Sequence, residues 1–332
     1  MTPTVKAPEA EARAGAGMRL LARAFRTPTI GPLIALVLAV VIFSVTTDTF
    51  LTTENLSLIL EQAVVIGTLA LGQTLIILTA GIDLSNGSIA VMGTIIAGKL
   101  AMSGSPLLAL VLAVVACAAV GALNGTLVTW IRLPPFIVTL GMLTVITAAT
   151  RLFSESRSYA VTSDLLMWLD TSIGAQGFTY GSILLLLVYG AFWYALTQTA
   201  WGRHVYSIGD NREAARLTGI KTRRVMLSVY LIAGILYGVA AWQALGRIPN
   251  ADANAYQNAN LDSITAVVIG GTSLFGGRGG VVGTLIGTLI VGVLRSGLTQ
   301  AGIDALYQDL ATGVLVIAAV AVDQLTRRRS RA

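Results

Sequence analysis

LLALVLAVVACAAVGALNGTLVTWI, Leu107 to Ile131, runs from end to end without a charged side chain. At about 1.5 Å of rise per helical residue, a stretch of this length crosses the roughly 30 Å hydrocarbon core of a bilayer. Its polar members, Asn124, Thr126 and Thr129, cluster near one end. Further apolar blocks flank it at Ile30–Val45, Ala63–Ala80, Ser88–Met102 and Pro134–Phe153. Others follow at Ser182–Leu196, Val225–Ala244, Ser263–Leu274, Val281–Leu298 and Leu306–Val322. The reading is an all-α integral membrane protein of about ten transmembrane helices.

Composition agrees. Hydrophobic residues make up 55% of the chain and charged residues 11%, and the mean hydropathy is +0.78. A water-soluble domain carries about one quarter charged residues. Repeated segments of alternating polarity, the mark of a membrane barrel, are not found. The single cysteine, Cys117, lies inside the quoted block, so an intrachain disulfide is impossible. The net charge of +6 is spread over the ends of apolar blocks and does not form one stripe, so nucleic acid is not an expected partner.

Charge also orients the chain. Residues 1–28 hold Lys6, Arg13, Arg19, Arg23 and Arg26 with no apolar core before Ile30, which reads as a cytoplasmic tail and not a cleavable signal peptide. With the tail inside, ten crossings over residues 29–324 return the basic residues 325–332 to the same side, and six place the loop 198–224 there too. Only Lys99, Arg151, Arg157, Arg247 and Arg295 then fall toward the outside, as the positive-inside rule requires. Lys99 and Arg295, near span ends, can snorkel and need no functional role on this reading.

The loop contains Gly202–Arg224, GRHVYSIGDNREAARLTGIKTRR, too polar to span. Its helix formers predict a short helix over Glu213–Leu217, capped by Asp210 or Asn211 and ended by Gly219 in a left-handed conformation. Such a helix lying along the membrane is a stiff element able to transmit a partner's push. On composition alone the favoured reading of the segment is a charged loop that obeys the topology rule.

Other polar residues stand at membrane depth. Asp83 interrupts two apolar blocks and carries a costly charge, so it is a functional candidate. Asp83 or Ser85 is also placed to cap the helix that follows. Gln73, Asn124 and Thr139 sit within spans and must find partners in a neighbouring helix or a wet pathway. Glycines 270, 271, 276, 277, 279 and 280 bend the backbone between two spans, either as a re-entrant segment or as a tight turn. Gly279, Gly283 and Gly287 form a ladder at four-residue spacing, which allows close helix approach in lipid. Catalytic machinery is not evident. Gly93–Leu100, GTIIAGKL, mimics a phosphate loop but ends in leucine where a magnesium-holding hydroxyl is required. The sole histidine, His204, suggests no metal cluster.

Several of these stretches resemble one family. Glu213-Ala214-Ala215 with Gly219 matches the EAA-x3-G core by which permeases of ATP-binding cassette importers dock on their ATPase subunits, although the usual downstream I-x-L-P is missing. Ala70–Ser88, ALGQTLIILTAGIDLSNGS, is similar to the A-x-GQT…GGIDLS-x-GS signature of the ribose and monosaccharide permeases, with Ala80 in place of a glycine and Asn86 at a commonly apolar position. Asn124–Gly141 resembles that family's NG…PPFI-x-TLG stretch. Ala266–Gly292 resembles its VVIGGTSL-x-GG-x-G…GTL-x-G run. Asn258–Asp262, NANLD, departs from the G-Y-E-L-D pattern. The likeness covers roughly Leu51 to Asp323.

The resemblance implies a type II-like permease bundle of the branched-chain amino acid and sugar permease family. It implies coupling through Glu213, Ala214, Ala215 and Gly219, in a segment that Asn211 begins; Gln73, Asp83, Ser85, Asn124 and Thr139, singled out by their polarity at membrane depth, are the candidate substrate-pathway residues. It also implies partners: ATPase subunits that hold ATP and magnesium, a second permease chain, a periplasmic sugar-binding protein and a monosaccharide. No cofactor is expected on this chain. The rivals are an ion-coupled transporter, an amino acid permease with the same machinery, and a membrane scaffold or receptor.

Overall fold

The computed structural model describes residues 29–174 and 178–329. The expected tail at 1–28, with its five cations, and Arg331 lie outside the described residues. The chain folds as α1 (Ile30–Thr46), α2 (Thr53–Leu78), α3 (Asn86–Ala101), α4 (Pro106–Thr129) and α5 (Pro135–Ser154). Then come β1 (Tyr159–Ala160), α6 (Asp164–Met167) with a 3-10 turn at Trp168–Asp170, and α7 (Tyr180–Gln198). α8 (Ala200–Asp210), α9 (Arg212–Leu217), α10 (Thr222–Arg247) and β2 (Asn250–Ala251) follow. The chain closes with α11 (Ala259–Ile269), α12 (Val281–Gln300) and α13 (Ala305–Arg329).

Each expected span lies on a helix. Six of these, α2, α4, α5, α7, α10 and α12, are long and apolar enough by themselves to cross a membrane. α2 is the centre of the bundle, with 78% of its apolar window buried, against 28% in α4 and 22% in α5. It packs on α10, α12 and α11, while α10 runs along α4. The outward faces of α1, α4 and α7 expose Leu38, Ile42, Leu107, Leu108, Val115 and Leu187. Such a continuous apolar exterior is stable only against lipid.

The helix ends depart from the expected ones for local reasons. α2 begins at Thr53 instead of near Ala63 because Thr52 caps it, accepting the Asn55 N–H at 3.4 Å; the polar Glu54, Asn55, Glu61 and Gln62 masked this turn in a hydropathy reading. α11 stops at Ile269, before the expected Leu274, because Gly271 turns the chain at φ +85°. At 11 residues it rises about 16 Å, half a bilayer core. At the end of the bundle away from α8 and α9, β1 pairs antiparallel with β2, Tyr159 opposite Ala251. This ties the long connection after α5 to the one after α10.

Candidate functional site

The expected pathway residues come together around the break between α2 and α3. Gln73, Ser85, Asn124 and Thr139 are 0% exposed and Asp83 is 1% exposed. Asp83 Oδ1 accepts from the Ser85 N–H at 2.8 Å and the Ser85 hydroxyl at 2.6 Å. Its Oδ2 accepts from the Tyr237 hydroxyl of α10 at 3.2 Å. With its amide oriented by these neighbours, Gln73 donates to the Asp83 carbonyl at 3.0 Å and accepts from the Asp83 N–H at 3.2 Å. Asn124 donates to Ser85 Oγ at 3.0 Å, and Thr139 donates to the Ile82 carbonyl at 2.9 Å. Residues from α2, α4, α5 and α10 thus satisfy a non-helical segment where water is excluded, as bilayer depth demands.

Neither Asp83 nor Ser85 caps α3. Ser85 occupies the capping position but makes no side-chain cap bond, because its hydroxyl is turned toward Asp83. None of the five residues lines a cavity described below, so the cluster as folded is a sealed clamp on the 79–85 segment. Two residues that depart from the resembled pattern also find roles here. Ala80 takes φ +60°, a conformation glycine adopts without strain. Asn86 donates to Ser263 Oγ of α11 at 2.7 Å.

The polar loop forms two helices where one was expected. α8, with Val205 and Ile208 buried, lies against the bundle and leads into α9. Asn211 caps α9 by accepting the Ala214 N–H at 3.0 Å. Gly219 ends the segment at φ +88°. Ala215 is buried, while Glu213 and Arg216 pair at 3.1 Å on the exposed side. Sequence reading placed Asn211, Glu213, Ala214, Ala215 and Gly219 in one element, and they are adjacent here.

What it missed is how this element is fastened. A Cβ on Gly209 would sit 1.9 Å from the Leu78 carbonyl oxygen and 2.5 Å from the Gly277 nitrogen. Gly277 donates to that same Leu78 carbonyl at 3.1 Å, and the Tyr206 hydroxyl donates to the Gly279 carbonyl at 2.9 Å. α8, the end of α2 and the 270–280 turn therefore meet backbone to backbone. In the sequence only the glycines hinted at this contact. The turn is held internally by Ser273 N–H to the Arg278 carbonyl at 3.0 Å. The glycine ladder serves packing within the chain: a Cβ on Gly283 would lie 2.0 Å from the Gly270 carbonyl oxygen, and one on Gly287 1.9 Å from that of Ala266. α12 thus closes on α11.

Arg295 does not snorkel. It donates to Asp262 of α11 at 2.7 Å and to Asp309 of α13 at 3.3 Å, so the departing NANLD segment ends in a partly buried ion pair. Near the β1–β2 pair, Asp170 is half-buried, and burial raises its pKa above the ordinary carboxylate value while Arg247 opposes the rise. Among the described residues no group of three or more metal-ligating side chains comes together.

Residues 55–320 match the family model described as branched-chain amino acid transport system / permease component. The chain belongs to this permease family. It is 42% identical over 312 residues to the fructose import permease protein of Rhizobium meliloti, covering 91% of this chain and 87% of that one. It is 37% identical over 304 residues to the ribose import permease protein of Bacillus subtilis, covering 89% and 92%. It is 31% identical over 313 residues to the galactose/methyl galactoside import permease protein of Escherichia coli, covering 89% and 93%. No solved structure matches. The permease is a multi-pass protein of the bacterial inner membrane and a transport component, not an enzyme.

Proposed function

We propose that this permease is the membrane-spanning subunit of an ATP-binding cassette importer that carries a monosaccharide, a pentose or hexose such as ribose or fructose, into the cell. A separate ATPase subunit binds ATP and magnesium. A periplasmic binding protein delivers the sugar, and two permease chains pair around the pathway. The chain crosses about ten times, with both termini and the 198–224 loop in the cytoplasm.

The observation that carries this reading is the α8–α9 element. It is capped by Asn211, exposed along Glu213 and Arg216, and seated without side-chain padding on Leu78 and Gly277. A push on α9 therefore reaches α2 and the 270–280 turn through rigid backbone. The relatives named for fructose and ribose favour sugar over amino acid cargo. An ion-coupled mechanism is disfavoured because Asp83 is hydrogen-bonded on both oxygens and Asp262 is paired with Arg295.

The test is reconstitution of the permease with its ATPase and binding protein in liposomes, followed by uptake of labelled ribose and fructose. Uptake that requires ATP and all three components is expected. Uptake by the permease alone down an ion gradient would overturn the proposal.

A further inference from the structure

At the β1–β2 end of the bundle a cavity of about 600 Å³ opens among α2, α10, α11, α12 and α13. Its volume lies within the range of about 300–1,000 Å³ usual for small-molecule sites. The wall is unlike the rest of this apolar protein: Gln62, Arg247, Tyr256, Gln257, Asp262 and Arg295 all face it. The Asp262–Arg295 pair at 2.7 Å largely cancels its own charge, so much of the surface is a mixture of amide donors and acceptors around an ion pair. The side-chain amides of Gln62, half-buried, and Gln257, exposed, make no hydrogen bond within the described residues. Arg295 Nε is itself closed off from the cavity, and the part of the Arg295 side chain that is exposed, 31%, is what faces it. An amide at the mouth of a membrane bundle that bonds nothing in the protein is available to something that enters.

We infer that this cavity, and not the Gln73–Asp83–Asn124 cluster, is where the permease grips its sugar, with the Gln62 and Gln257 amides and Arg295 hydrogen-bonding the hydroxyls of a neutral monosaccharide. The inference rests on the import reading above. A polyol suits the lining because each hydroxyl both donates and accepts, as an amide does, and because it brings no charge to disturb the Arg295 pairing. The Tyr256 ring supplies an apolar face for the carbon skeleton. By contrast, the Asp83 cluster is closed and its principal bonds are made within the protein. A second cavity of about 230 Å³ shares Tyr256 and Gln257 with the first, so the 253–260 segment forms a wall between the two.

The test uses the full complex in proteoliposomes with labelled D-ribose and D-fructose as probes. Gln62→Ala and Gln257→Ala remove no side-chain hydrogen bond made within the described residues and should leave the unfolding temperature of the solubilised permease unchanged. Together they should lower the uptake rate at limiting sugar by on the order of tenfold, about two weak hydrogen bonds. A second measurement replaces Gln257 by cysteine. Cys117, the only native thiol of the permease chain, is buried, so within that chain a membrane-impermeant maleimide should label only position 257, and turnover with sugar should slow the labelling. If the wild-type complex imports neither sugar, the import reading has failed. If it imports one and the double variant imports it equally well, or labelling at 257 is indifferent to sugar, the cavity assignment is wrong.

Discussion

Replacing Gly209 by alanine tests whether α8 and α9 work as a lever. The added methyl would fall 1.9 Å from the Leu78 carbonyl oxygen and 3.0 Å from its carbon, with the Gly277 nitrogen 2.5 Å away. Comfortable carbon contacts need about 3.5 Å. The obstructing atoms are all backbone, so no side chain can swing aside, and α8 must lift away from α2 by roughly 1 Å. Overpacking of this kind costs about 1–3 kcal/mol. If that energy is taken from the position of the lever, coupling between ATPase and transport falls about 5–150-fold. The measurement is ATP hydrolysis by the reconstituted complex with and without sugar-loaded binding protein, run beside thermal unfolding of the detergent-solubilised permease. Stimulation should fall at least fivefold while basal hydrolysis persists. Wild-type stimulation in a variant that is destabilised would show that Gly209 is packing alone, and the force path argued above would be refuted.

Three further outcomes follow from the geometry. Asn211→Ala removes the cap of α9 and should cost about 1 kcal/mol locally, weakening stimulated hydrolysis several-fold without moving the unfolding temperature; an unaltered stimulation would mean that α9 needs no fixed start. Asp83→Ala strips the acceptor from Ser85 and Tyr237, at about 1–3 kcal/mol for each donor left unpaired, so the unfolding temperature should drop and Asp83→Asn should drop it less; equal temperatures for all three forms would contradict the clamp. Ala80→Gly relieves a left-handed alanine at φ +60°, worth about 1–2 kcal/mol less about 0.5–1 for glycine's entropy, and a small rise in unfolding temperature is expected, whereas a fall would show that the alanine methyl is needed against Gly276.

Much of this molecule is legible in its sequence because lipid imposes a simple code. Uninterrupted apolar runs mark helices wherever they occur, so the expected blocks fall on helices even where their ends slip. The ends slip where polarity and helicity part company. The first turns of α2 carry Glu54, Asn55, Glu61 and Gln62, and α11 ends at glycines and not at the last apolar residue. The α9 cap and its Gly219 terminus were readable from local stereochemistry, since Asn accepts backbone N–H groups and glycine tolerates positive φ. The five polar residues at membrane depth were found because their burial is costly, but their meeting around residues 79–85 depends on four helices packing together. Tyr237, a partner of Asp83, gave no such sign: an aromatic in an apolar run looks like any other. The Asp262–Arg295 pair was hidden because Arg295 taken singly had an ordinary explanation at the edge of the bilayer, and Asp262, in the departing NANLD segment, gave no sign of its partner.

α2 passes the 600 Å³ cavity at Gln62 and touches Gly277 at Leu78, a separation of about 24 Å along one unbroken helix. A single rod that meets the proposed cargo at one end and the nucleotide-driven helices at the other makes the two ligands thermodynamically conjugate. Whatever factor sugar occupancy applies to the affinity for ATP, nucleotide must apply in return to the affinity for sugar.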